Sequence, residues 1–185
     1  MLRKLHFRQL AFFTILAAGL IFQNSAKSAG YNQLDKNAFL ALRSLCRTTP
    51  AARTLRKHAV AILIFPRVVK AGFIVGAQTG NGVLLEHGRV VGHYNISAAS
   101  YGLQAGLQAF GYAMFFMSPN AIAYLNKSEG FEVGTGPGIV LVDRGIAKNL
   151  TTTTLRKDVY AFIFGQKGLM AGVSLQGSKI TRVGP

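Results

Sequence analysis

Three times in this chain a glycine is followed by alternating apolar residues and a second glycine four places on. The segments are Gly72-Phe73-Ile74-Val75-Gly76-Ala77-Gln78, Gly102-Leu103-Gln104-Ala105-Gly106-Leu107-Gln108 and Gly168-Leu169-Met170-Ala171-Gly172-Val173. With a period of two, Phe73, Val75 and Ala77 share one side, as do Leu103, Ala105 and Leu107, and Leu169, Ala171 and Val173, while glycines recur on the other. Glycine inside a strand costs stability and marks a bend, a bulge or a close backbone approach. The pattern predicts a tightly curved sheet. It supplies no acid, base or nucleophile, and its uneven spacing excludes a regular solenoid or propeller.

The amino terminus has to be set apart before the fold is read. Arg3, Lys4 and Arg8 precede Leu10–Phe22, an uncharged, largely apolar run of thirteen residues, and small residues follow at Ser25, Ala26, Ser28 and Ala29. This layout is that of a secretory signal peptide, and the run is short for a bilayer span. We expect a signal over residues 1–28, with cleavage after Ser28 and an uncleaved anchor helix as the other option, and a single domain over 29–185. Export to the periplasm or cell envelope, with peripheral membrane association, follows. The one cysteine, Cys46, excludes an intramolecular disulfide and reads as a small buried residue.

Of 185 residues, 21 are basic and 6 acidic; without Arg3, Lys4, Arg8 and Lys27 the balance is 17 to 6, a formal charge of +11. Such an excess is attracted to anionic surfaces, and export favours lipid over nucleic acid. The bias is sharpest from Lys36 to Lys70, which holds eight cations and no carboxylate: Lys36, Arg43, Arg47, Arg53, Arg56, Lys57, Arg67 and Lys70. Leu34, Ala38, Ala41, Leu42 and Leu45 share one helical face opposite Lys36, Arg43 and Arg47. Thr49-Pro50 signals a second helix start, with Ala51, Leu55, His58, Ala59 and Ile62 on one face and Arg53, Arg56 and Lys57 on the other. Packing two helices on a sheet explains the apolar faces. It does not require every charge on their backs to be positive, and these eight residues are the candidate lipid-binding set.

Val60–Phe65 is continuously apolar and predicts a strand buried on both faces, ended by Pro66. Arg67 and Lys70 are expected in a turn. Strands are then expected over Ala71–Gln78, Val83–Glu86, Val90–Tyr94, Tyr101–Gln108 and Phe110–Met117, with turns at Thr79–Gly82 and His87-Gly88. Ser118-Pro119 starts a short helix near 119–127. Further strands are expected at Phe131–Gly134, Gly138–Asp143, Val159–Phe164, Leu169–Gln176 and Lys179–Val183, with a turn at Gly165–Gly168. Helices first and strands afterwards indicate an α+β fold: N-terminal amphipathic helices, then a curved antiparallel sheet closing into a barrel or flattened sandwich.

Catalytic and metal signatures are missing from the sequence. No two histidines have helical ligand spacing, there is no Gly-x-Ser-x-Gly elbow, and no cofactor is implied. Glu129 with Glu132 reads as a solvated pair, His58 as a core histidine, His87 as a turn residue, and His93 with Tyr94 as possible cavity lining. An enzyme would require a deep pocket bringing His93 to a carboxylate. Gly134-Thr135-Gly136-Pro137-Gly138 leads into a strand, whereas a phosphate loop opens a helix. Thr151–Thr154 carries no ligand signature.

The chain resembles the bacterial branch of the SYLF domain family over roughly Leu34–Val183. The likeness rests on Thr49-Pro50, on Ala59-Val60-Ala61-Ile62-Leu63-Ile64-Phe65-Pro66, on Lys70-Ala71-Gly72-Phe73 with Gly76, on Ala99-Ser100-Tyr101-Gly102-Leu103-Gln104-Ala105-Gly106, and on Tyr160 to Gly172. The resemblance implies a non-enzymatic module for phosphoinositides or other anionic phospholipids. It also implies actin association in some fungal members, which is not expected of an exported chain. His93-Tyr94-Asn95-Ile96 lacks the proline that relatives often carry there. The reading is therefore anionic-lipid binding through a basic ridge with apolar contact; a structural outer-membrane β-barrel is the alternative.

Overall fold

A computed structural model describes residues 30–127, 131–132, 139–142 and 157–185. Leu34–Pro185 make one compact unit and Met1–Gln33 a separate one; the sheet and its cores belong to the former. Helix α1 covers residues 30–48 and α2 covers Pro50–His58, with Thr49 as an extended N-cap and Pro50 in the first turn. The proline's fixed φ and missing N–H suit a first helical turn, where that donor has no partner in any case. The Thr48 hydroxyl bonds back to Ser44 O at 3.1 Å. Helix α3, Pro119–Lys127, starts in the same way, with Ser118 Oγ accepting from the Ala121 N–H at 3.4 Å.

Three long strands dominate the sheet: β1 (Ala61–Glu86), β2 (Arg89–Phe116) and β5 (Val159–Gly184), with the short β3 (Phe131–Glu132) and β4 (Ile139–Leu141) added. The order is β1-β2-β5-β3, with β4 also on β5. β4 runs parallel to β5 and the other pairs are antiparallel, so the sheet is mixed where an antiparallel one was expected. Among the described residues no pairing joins β1 to the far edge, and closure into a barrel is not seen. The architecture is α+β, with three helices and a curled sheet.

The turns expected at Pro66–Lys70, Thr79–Gly82 and Gly165–Gly168 are absent; the chain passes through them as continuous strand. Extra residues are absorbed as bulges between Phe65 and Val68 of β1, where β2 supplies one residue fewer, and between Ala109 and Gly111 of β2, where β5 supplies one more. His87-Gly88 does turn, with φ of 51° and 79°, the left-handed pair of a two-residue hairpin.

β1 also reverses on itself. A Cβ on Gly72 would lie 2.7 Å from Gly76 Cα and 3.0 Å from Val75 O, whereas residues four apart in an extended strand are separated by roughly 13 Å. Farther from the crease, Gly80 abuts Arg67 O and Val68, and Gly82 abuts the Phe65 ring. The glycines at 80 and 82 therefore serve close layer contact, not a turn. Ile74 at the crease has φ 64°. β2 meets this reversal with two more residues than β1, between the Phe73↔Ala105 and Val75↔Tyr101 pairs. The three-stranded ribbon is thus doubled over at Phe73–Val75.

Alternation sorts the apolar residues into two cores. Ala61, Leu63 and Phe65 join Leu84, Tyr94, Met114, Phe116 and the α3 residues Ala121, Ile122 and Leu125. Ile62 and Ile64 join Val83, Leu85 and Phe115 beneath Ala38, Leu42, Leu45, Ala52 and Leu55 of α1 and α2. The first half of β1 is therefore buried on both faces, as its uninterrupted apolar run predicts.

Candidate functional site

The eight cations fall into two groups. Lys36, Arg43 and Arg47 are exposed on α1, and Arg53, Arg56 and Lys57 are exposed on α2. Arg67 and Lys70 are on β1, Arg67 in the bulge and Lys70 opposite Gln108, within the strand and not in the expected turn.

The helix group is not uniform. Arg53 donates from Nε to Cys46 O at 3.2 Å and from Nη2 to Arg47 O at 3.4 Å. It thereby caps carbonyls of the last turn of α1, which lack intrahelical partners, and ties α2 to α1. Arg56 and Lys57 occupy the last turn of α2 with His58, where a cation is favoured by the helix dipole. Burial pushes the Cys46 thiol pKa up, with Arg56, which also hydrogen-bonds it, and Arg53 pulling the other way. Cys46 is thus a buried thiol, the small buried residue that the sequence suggests.

Arg56 and Lys57 also border a cleft of about 360 Å³ between the helices and the ends of the ribbon. Its walls include the buried Leu42, Ala61, Ile62 and Leu85; Phe39 and the hairpin residues His87 and Gly88 complete the rim. A volume of this order takes a small ligand or one end of a lipid. Among the described residues its lining is part apolar and part polar, with two cations and no carboxylate, which suits an anionic amphiphile. Phe39 and Leu85 were not identified from sequence. Phe39 flanks the apolar arc of α1, which was the available signal; Leu85 had none.

His93 does meet a carboxylate. Its Nε2 lies 2.8 Å from Asp35 Oδ1 and its Nδ1 2.5 Å from Pro185 O. The pair joins α1 to β2, with His93 buried, and neither residue lines the cleft. His58 is exposed, contrary to the core position its helical face suggests; α2 ends there and its side chain leaves the packed stripe. Tyr94 is buried and donates to Asn126 Oδ1 at 2.9 Å. Among the described residues no three His, Cys, Asp or Glu gather as a metal site, and no helix is long and apolar enough to cross a membrane. Glu129, Gly134–Gly138 and Thr151–Thr154 lie outside the described residues.

Residues 97–183 match the family model Ysc84, described as Las17-binding protein actin regulator. This range holds the Ala99–Gly106 and Tyr160–Gly172 motifs but not those from Thr49 to Gly76. No curated protein matches the chain.

Proposed function

Because the chain belongs to the SYLF domain family, matched over residues 97–183, we propose that it binds anionic phospholipid, phosphoinositides included, at a membrane surface of the cell envelope without transforming it. Membership is consistent with lipid binding in general; the headgroup charge, the location and the lack of catalysis are this proposal's own. The observation that carries it is the cleft: Arg56 and Lys57 line it together with Leu42, Ile62 and Leu85, and residues 36–70, which supply most of its lining, contain no carboxylate.

Near an anionic membrane each cation contributes about 1 kcal/mol, within a Debye length. Lys36, Arg43, Arg47, Arg56 and Lys57 together would give roughly 5 kcal/mol, an attraction in the sub-millimolar range. Charge alone therefore gives reversible, salt-sensitive docking, and tighter attachment needs apolar contact.

The barrel alternative is not favoured. A lipid-facing barrel strand has one face in hydrocarbon and one in the lumen, whereas the start of β1 is covered by protein on both. The family description names Las17 and actin, which stands against leaving actin aside. Actin is still not part of this proposal, because the expected export would separate the protein from it.

Co-sedimentation with vesicles of phosphatidylcholine alone, with phosphatidylglycerol, or with a phosphoinositide tests the reading. Binding should require the anionic lipid, fall with salt, and weaken in Lys57→Glu. Equal binding to neutral vesicles, or pelleting only with actin filaments, would refute it.

A further inference from the structure

At the crease of the doubled ribbon the side chains that sequence alternation assigns to a smooth strand face point into solvent. Leu169 is 88% exposed, Phe73 76% and Tyr101 69%, and Ile74, Val75 and Leu107 are exposed beside them. Except at Ile74, where the register shifts, their backbones are paired, with rungs that run across all three strands: Gly72 faces Gly106, which faces Met170, and Ala71 faces Leu107, which faces Leu169. Paired backbone carries little penalty on leaving water. Residues 66–79, 97–111 and 164–179, the strand segments paired through this end of the ribbon, contain Arg67, Lys70, Lys167 and Lys179 and no Asp or Glu.

We propose that this apolar crease enters an anionic phospholipid bilayer, seating between the headgroups and the upper acyl chains. The proposal rests on the lipid-binding reading above and adds a contact separate from the cleft: twelve residues, roughly 40 Å of strand, divide the two, and the crease brings its own cations. Lys70 lies three rungs behind Phe73, and Lys167, opposite Ala109, four. At about 3.3 Å per rung they stand roughly 10–13 Å from the crease. An interfacial amphipathic element sinks its apolar face about 5–10 Å. That depth puts Lys70 and Lys167 at headgroup level when Phe73 and Leu169 are immersed.

Charge decides between a membrane and a second copy of the chain. Two creases in contact would bring together two sets of cations on strand segments that themselves carry no Asp or Glu, whereas lipid phosphates neutralise the same set. The cleft lies at the start of β1 and the crease twelve residues on, so the two contacts can be probed separately.

The chain contains no tryptophan, so a single introduced one reports its own position. Leu169→Trp at the crease is compared with Leu40→Trp on α1, each in the full protein with vesicles of phosphatidylcholine and phosphatidylglycerol. Leu169→Trp should shift to the blue and be quenched by brominated acyl chains, while Leu40→Trp keeps its aqueous spectrum. Phe73→Ser with Leu169→Ser should weaken vesicle affinity at least tenfold with an unchanged thermal transition, since both side chains are exposed. Three results overturn the insertion. Binding with only Leu40→Trp shifted spares the lipid reading and assigns docking to the helices. Binding by neither variant nor the native chain removes the lipid reading as well. A blue shift without lipid, together with a dimer mass, assigns the crease to a second copy.

Discussion

Replacing Gly72 by alanine should destabilise the protein, although on chain entropy alone the change would help. An alanine at a compatible strand position gains about 0.4–1 kcal/mol by restricting the unfolded chain. Here its Cβ would lie 2.7 Å from Gly76 Cα and 3.0 Å from Val75 O, both backbone atoms that cannot rotate away. Forcing a methyl into such a contact costs typically 1–3 kcal/mol, which outweighs the gain and leaves a net loss of about 1–2 kcal/mol. For a unit of this size each kcal/mol moves the thermal midpoint by about 2–4 °C. Calorimetry should therefore find a midpoint roughly 2–8 °C lower, accompanied by weaker vesicle binding because the crease is spread. An unchanged or higher midpoint would refute the reversal of β1 at Phe73–Val75, and with it the placement of the apolar crease.

Arg53→Ala should lower stability by about 1–2 kcal/mol in urea titration, since it leaves carbonyls of α1 uncapped. Lys57→Ala should leave stability within about 0.5 kcal/mol and weaken binding to anionic vesicles. His93→Ala breaks the contact to Asp35 and should cost about 1–3 kcal/mol, read as a lower urea midpoint at unchanged slope. Ile74→Gly relieves a β-branched residue at φ 64° and should raise stability by about 1 kcal/mol while lowering vesicle affinity, because the same side chain is part of the crease. Burial pushes the Tyr112 hydroxyl up to about 12. A folded pKa raised above its unfolded value of about 10 contributes stability that is complete below about pH 10 and lost as pH rises towards 12; alkaline unfolding curves of Tyr112→Phe should lack that component.

The parts of the fold legible in the sequence are those fixed by local chemistry. Pro50 and Pro119 set helix starts, the unbroken apolar run before Pro66 set a doubly buried strand, and His87-Gly88 set the hairpin. The glycines at 72, 76 and 106 were read as signs of curvature, and the close backbone contacts at Gly72 and Gly106 bear this out. What escaped is the continuity of β1 through Thr79-Gly80-Asn81-Gly82 and of β5 through Gly165–Gly168. Turns, bulges and tight layer contacts select the same residues, because each needs a missing Cβ or a permissive φ. Alternation likewise placed Phe73 and Val75 on one side of a strand without saying whether that side meets protein or solvent. His93 and Asp35 are 58 positions apart, and nothing local announces their contact. Among the candidate cations, sequence treated Arg53 like Lys57; only the fold distinguishes a helix cap from a residue at a cleft.

The most direct test of the account is the affinity of the native chain for vesicles of phosphatidylcholine with phosphatidylglycerol, titrated against salt and compared with phosphatidylcholine alone. Binding should need the anionic lipid and fall steadily as salt rises, with a residual component that disappears in the Phe73→Ser and Leu169→Ser variant. Binding indifferent to headgroup charge and salt, or none at low ionic strength, would contradict it.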